Sequence, residues 1–451
     1  MKCSEYLANM LSDIDSISEE DTRCIRKLLL DFFAASYAGY DINRPFNRQV
    51  ENTVFPQGGA PESTVFLYGK KLPAQKAAFM NALYAHGAEL DDGNRNAAGH
   101  IGVHVIPAVF ALAEKIGASE HDILTAIAVG YEAYIRISSA AQPGMVKRGY
   151  HSTGMAGTLG SAAACAKLYH LDAKGIENAI ALATTMTGGL LSYGDSRPAI
   201  KPLNPAKAAE SGVFAAMLAA EGMEGPKEAL EGPNGWFHAA TDSYDENRLV
   251  RKENEHLLIH ECYFKLYPSC RHTHSGIEAG TTLYGSMELS EIEKVNVYIY
   301  PNAIKLAGIR DPQNQDETKF SIQYTLACAL VNGNYGISDM QNVQKMTEQV
   351  RNMISRIELI PDDSMEDREK GIRGARVELV GKGGERKEET VLIPKGDPEK
   401  PLSFEDITDK LYLCASGLTS KEKLNGLVEY ISDFGNRDAF RYPALSSLYQ
   451  M

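Results

Sequence analysis

Apolar positions recur at helical spacing along most of the first 260 residues. Thr22–Tyr37 places Ile25, Leu28, Leu29, Phe32 and Phe33 on one side of a helix, and Ser18 with Asp21 three residues later resembles a capping box. The same spacing predicts helices over Ala74–Leu90, His104–Ile116, His121–Ser139, Gly154–Tyr169, Ala173–Thr187 and Ala206–Glu221. Gly117, Gly149 and Gly222 fall where such helices end. Two stretches, 154–168 and 204–222, consist largely of Ala, Gly, Ser and Thr. Helices with so little polar surface are buried on most sides.

The period changes near residue 290. Lys294–Tyr300, Arg356–Ile360 and Ala375–Val380 alternate at period two, as half-buried strands do. The run VELVGKGGERKEETVLI reads as two strands about a Gly-Gly turn. Helices are expected at Cys270–Leu283 and Phe320–Leu330 in the same region, and again at Ser403–Cys414 and Ser420–Tyr430. The fold class is therefore mainly α. We expect a large helical domain over 1–264, a smaller α+β domain over 265–400, and a C-terminal return to the helical part over 401–451.

Charge narrows the partners. Lys plus Arg number 46 against 59 Asp plus Glu, a net charge of −13. That balance excludes nucleic acid and anionic membrane as main partners. A small anionic substrate remains compatible, provided the site is locally positive. The start, MKCSEYLANMLSDID, lacks a secretory apolar core, and no run of 18 apolar residues occurs. The seven cysteines are scattered without a CxxC pair, so a reduced, cytoplasmic setting is expected.

Five stretches carry candidate chemistry. Residues 86–104 gather Glu89, Asp91, Asp92, Arg95, His100 and His104. His100 and His104 are four apart, but Gly102 lies between them and no HExxH accompanies them, so no metal is expected. Residues 147–160 set His151 at the start of a small-residue helix, where backbone N–H groups suit an anion. Residues 192–212 hold Arg197, Lys201 and Lys207, with Lys201 between apolar neighbours. Residues 264–279 concentrate Lys265, Tyr267, Cys270, Arg271, His272 and His274. Tyr324 lies on the apolar helix expected over 320–330.

In this order, ELDD with His100 eleven residues after Glu89, GYHSTGMAGTLGSAAA, IKPLNPAKAAESG, KLYPSCRHTHSGIEA and KFSIQYTLACAL resemble the MmgE/PrpD family. The resemblance runs over nearly the whole chain. It implies an all-helical domain built from both chain ends, a smaller α+β lid, and an active site between them. It assigns catalytic roles to Glu89 or Asp91, His100, His151, Lys201, His274 and Tyr324. Arg271, Lys265, His104 and His272 join these as substrate-binding candidates. The chain departs from the family pattern at Glu89, Asn94, Ile101 and Asn204. The implied activity is a cofactor-independent lyase, a dehydratase or decarboxylase, acting alpha to a carboxylate of a small acid such as 2-methylcitrate or cis-aconitate. An epimerase of an imino- or amino-dicarboxylate is the alternative, and a non-catalytic carboxylate-binding protein the alternative of another class. No cofactor is implied, and a homodimer is.

Overall fold

A computed structural model describes residues 2–192, 200–252, 255–367 and 370–442. The chain is mainly α and divides into two compact units: Met1–Tyr263 with Ser403–Met451, and Phe264–Leu402. Among the described residues no helix is long and apolar enough to cross a membrane.

The first unit is helical. Ser18 and Asp21 form both bonds of the capping box that opens Glu19–Ile42. That helix buries Ile25, Leu28, Leu29, Phe32 and Phe33. Gly102–Ile116 ends at Gly117, whose φ of 71° is the left-handed cap that glycine adopts without strain. The small-residue helices Ser152–Leu168 and Leu203–Ala220 pack against each other. Their composition is a matter of clearance. A Cβ on Gly212 would lie 2.4 Å from the Ser161 Cβ, and one on Gly157 would lie 2.9 Å from the His104 ring. Phe404–Cys414, opened by a second capping box at Ser403 and Asp406, packs on Glu19–Ile42.

The second unit is built on a four-stranded sheet, ordered Arg386–Val391, Ala375–Gly381, Ile292–Ile299, Ile357–Pro361. The first two form the expected hairpin, with Arg386 opposite Val380. Ile292–Ile299 pairs antiparallel with Ala375–Gly381 and parallel with Ile357–Pro361. A parallel neighbour needs a crossover, and helices supply it between those two strands. His274–Leu283 and Ile322–Asn332 pack against each other in this unit.

One departure from the expected elements bears on function. The helix expected over Ala74–Leu90 stops at Ala85. Gly39 and Gly87 meet backbone to backbone there: a Cβ on Gly87 would sit 2.8 Å from the Gly39 Cα. Residues 86–92 leave the helix as a turn, with Glu89 at φ 56°. The expected Cys270–Leu283 helix likewise splits into a single tight turn at Arg271–Thr273 followed by His274–Leu283.

Candidate active site

The turn that breaks the helix also builds the site. His86 caps Ala74–Ala85, and the chain then reverses to bring Asp91 back beneath it. Asp91 Oδ2 lies 2.8 Å from His86 Nδ1 and 3.0 Å from His100 Nδ1. His100 Nδ1 is also 2.8 Å from the Asp92 carbonyl, and its backbone N–H donates to Thr153 Oγ1 at 3.1 Å. The intervening loop is tied down. Asn94 Oδ1 accepts the N–H groups of Asn96 and Ala97, each at 2.9 Å, and Gly93–Asn94 pairs with Cys262–Tyr263. Asn94 thus has a structural task of its own.

The bond pattern fixes the protons. Burial alone would raise the Asp91 carboxyl, but His100 and His86 overrule it and hold it well below the usual range. An ionised carboxylate only accepts, so His86 Nδ1 and His100 Nδ1 both carry hydrogen. Burial pushes His86 down to about 4, Asp91 pulling the other way, so the ring is neutral near pH 7 and Nε2 is a lone pair. That nitrogen is buried and has no hydrogen-bond partner among the described residues, as is true of Asp91 Oδ1. His86 was not singled out from the sequence.

His86, Asp91 and His100 each offer an atom within 4.8 Å of the others, a donor number that some metal sites use. The donor chemistry fits protons better. A tetrahedral ion with bonds near ~2.0 Å spreads its ligand atoms about 3.3 Å apart. The separations of 2.8 and 3.0 Å are those of hydrogen bonds, and the Asp92 carbonyl shares the His100 proton.

Lys201 ion-pairs with Glu89, the residue in the left-handed conformation. His151 precedes Ser152–Leu168 as its N-cap without a side-chain capping bond. Asn204 Nδ2 donates to His151 Nδ1 at 3.0 Å, and the His151 and His86 ring centres are 5.9 Å apart. Burial holds His151 well below its ordinary pKa, with Lys201 adding to the effect. His104 sits deeper, bonded through Nδ1 to Ser161 Oγ at 3.0 Å, and burial lowers it to about 3. Asp92 accepts from the Gly102 amide at 2.9 Å and the Tyr131 hydroxyl at 3.0 Å. Burial, with Asp31 and Asp91 adding, raises its carboxyl to about 8. The structure therefore brings Glu89, Asp91, His100, His151 and Lys201 into one neighbourhood, with His86 and Asn204 added and His104 behind.

In the second unit, Arg271 Nη2 pairs with Asp397 at 2.8 Å and Nη1 donates to His274 Nδ1 at 2.8 Å. His274 Nε2 faces the Ser269 carbonyl at 3.4 Å. His272 bonds the Tyr300 hydroxyl through Nδ1, and Lys265 is buried. The Tyr324 hydroxyl donates to the Asp339 carbonyl at 2.7 Å.

Part of the expected positive charge is matched by nearby carboxylates. Lys201 is matched by Glu89 and Arg271 by Asp397, while His86, His104 and His151 are driven toward neutrality. Lys207 is an exposed surface residue paired with Glu210 at 2.9 Å. Arg197 lies outside the described residues.

Fold and residues together place the molecule. The MmgE/PrpD N-terminal domain matches residues 4–248 and the MmgE/PrpD C-terminal domain matches 267–430, so the chain belongs to the MmgE/PrpD family. Among its relatives, the cis-aconitate decarboxylase of Homo sapiens is 26% identical over 431 residues, covering 90% of this chain and 86% of the relative. The cis-aconitate decarboxylase of Aspergillus terreus is 26% identical over 446 residues, covering 92% and 89%.

Proposed function

We propose that the protein is a lyase acting alpha to a carboxylate of a small di- or tricarboxylic acid, with decarboxylation of a cis-aconitate-like acid as its leading reaction. The observation that carries the reading is one ionised carboxylate, Asp91, holding two imidazoles by Nδ1. Imidazole is the side chain suited to giving and taking protons in water, and here a carboxylate orients two of them. The end-to-end likeness to cis-aconitate decarboxylases supports the same reading.

In the proposed step the C–CO₂ bond breaks and its electron pair stays on carbon. Lys201 stabilises the developing charge. His100, as imidazolium held by Asp91, gives its Nε2 proton to that carbon, CO₂ departs, and water restores the proton. No step calls on a cofactor. The same reading carries a second copy of the chain as partner, checked by light scattering.

The test is a screen of cis-aconitate, 2-methylcitrate, citrate and iminodisuccinate in D₂O, followed by NMR. We expect CO₂ release with one deuterium incorporated per product. Failure to turn over any of the four rejects the reading.

A second reading is favoured by one observation. Glu89 already neutralises Lys201, which leaves less positive charge than a tricarboxylate calls for. An epimerase of an amino- or imino-dicarboxylate would suit that balance. Deuterium entering recovered substrate, without loss of CO₂ or water, identifies it.

A further inference from the structure

Lys410 lies on Phe404–Cys414, 320 residues along the chain from Leu90. It is 4% exposed. Its Nζ donates to the Leu90 carbonyl at 2.5 Å and to Asp31 Oδ1 at 2.5 Å. Asp31, on Glu19–Ile42, is equally buried, and its carboxylate also faces the backbone amide of Asp92. Leu90 and Asp92 are the two neighbours of Asp91. The peptide groups on either side of Asp91 are thus held from two different helices. Immediately before them stands Glu89 at φ 56°, a conformation that persists in an L residue only where the surroundings impose it.

A buried ion pair is a poor device for stability alone, since well-packed apolar residues replace it without loss. What the Lys410–Asp31 pair adds is direction: a donor aimed at one carbonyl. We infer that Lys410 and Asp31 are positioning residues that set the Asp91 carboxylate against His86 and His100. Its activity arm rests on the lyase reading above; its spectroscopic arm does not.

Lys410→Met alone would strand a buried carboxylate, so the informative variant is Asp31→Leu with Lys410→Met. We expect cooperative thermal unfolding to be kept. Turnover should fall between about tenfold and about a hundredfold with KM little changed, as for a misplaced catalytic group. The downfield imidazole Nδ1–H proton signals of His86 and His100 should shift or vanish, whether or not a substrate has been found. If the double variant does not fold, Lys410→Gln, which keeps a shorter donor, is read the same way. A folded variant with unchanged imidazole signals and wild-type turnover overturns the assignment.

Discussion

Two clusters of this molecule each hold a histidine by Nδ1, and they do so with opposite chemistry. In the first unit the holder is a carboxylate: Asp91 takes hydrogen from His86 and His100. In the second it is a guanidinium: Arg271 gives hydrogen to His274. Since a guanidinium only donates, His274 Nδ1 must be a lone pair and its remaining N–H sits at Nε2, facing the Ser269 carbonyl. The carboxylate-held rings turn Nε2 away from their holder, and His86 Nε2 has no partner among the described residues. Arg271 also reaches the Pro394 carbonyl at 3.3 Å, which ties one loop to another. A carboxylate-held pair of rings, proposed above to move protons, thus stands against an Arg271–His274 pair whose bonds join loops of the second unit.

Asp91→Asn is the hardest test of the contrast. The amide keeps an acceptor oxygen but loses the negative charge that would stabilise a protonated ring, so turnover should drop about 10³-fold. Wild-type turnover in that variant would remove the reactive half of the comparison. Arg271→Met comes next. It leaves Asp397 buried without its cation, and urea unfolding should show a loss of about 3 kcal/mol. A variant of unchanged stability with a raised KM would instead make Arg271 a substrate ligand. His86→Gln keeps a donor toward Asp91 but removes the basic nitrogen, and steady-state kinetics should show about a 10²-fold loss. An unaltered pH profile in that variant would leave His86 a packing residue.

The smallest effect is one of pH. The Asp92 carboxyl rises from 3.8 to about 8 in the folded protein. Folding therefore binds its proton more tightly, and the associated stability fades as pH climbs from 3.8 through about 8. His86 works in the reverse sense: lowered from 6.5 to about 4, it costs stability as pH falls through that interval. Asp92→Asn should remove the fall in stability between pH 3.8 and about 8, leaving the opposite His86 slope between 6.5 and about 4. A curve unchanged between pH 3.8 and about 8 would mean that Asp92 is ionised in the fold.

Much of this was legible in residue order, because helices and strands announce themselves by local period. Glu19–Ile42 was readable from Ser18, Asp21 and five spaced apolar residues, and the hairpin from its glycines. The break at His86 was not. Ala85, Ala88 and Leu90 continue the apolar pattern, and the reason for stopping, Gly39, is far away in sequence. Cation partners were hidden for the same reason. Lys201 meets a carboxylate 112 residues away, so a reading of local charge found the lysine and missed its neutralisation. Lys410 looked like any lysine on an amphipathic C-terminal helix, because nothing near it in sequence marks its burial. A resemblance over the whole chain reached Glu89, Asp91, His100, His151 and Lys201, which the fold then assembled.

The bond from Lys410 to the Leu90 carbonyl also has a consequence for synthesis. A ribosome delivers residue 90 early and residue 410 only after the whole of the second unit has been made. Through that interval the nascent first unit carries its Asp91 turn without the donor that anchors it. On the positioning role inferred for Lys410, the turn that bears Asp91 takes its final arrangement only once residue 410 has been made, well after the helices that bear the histidines.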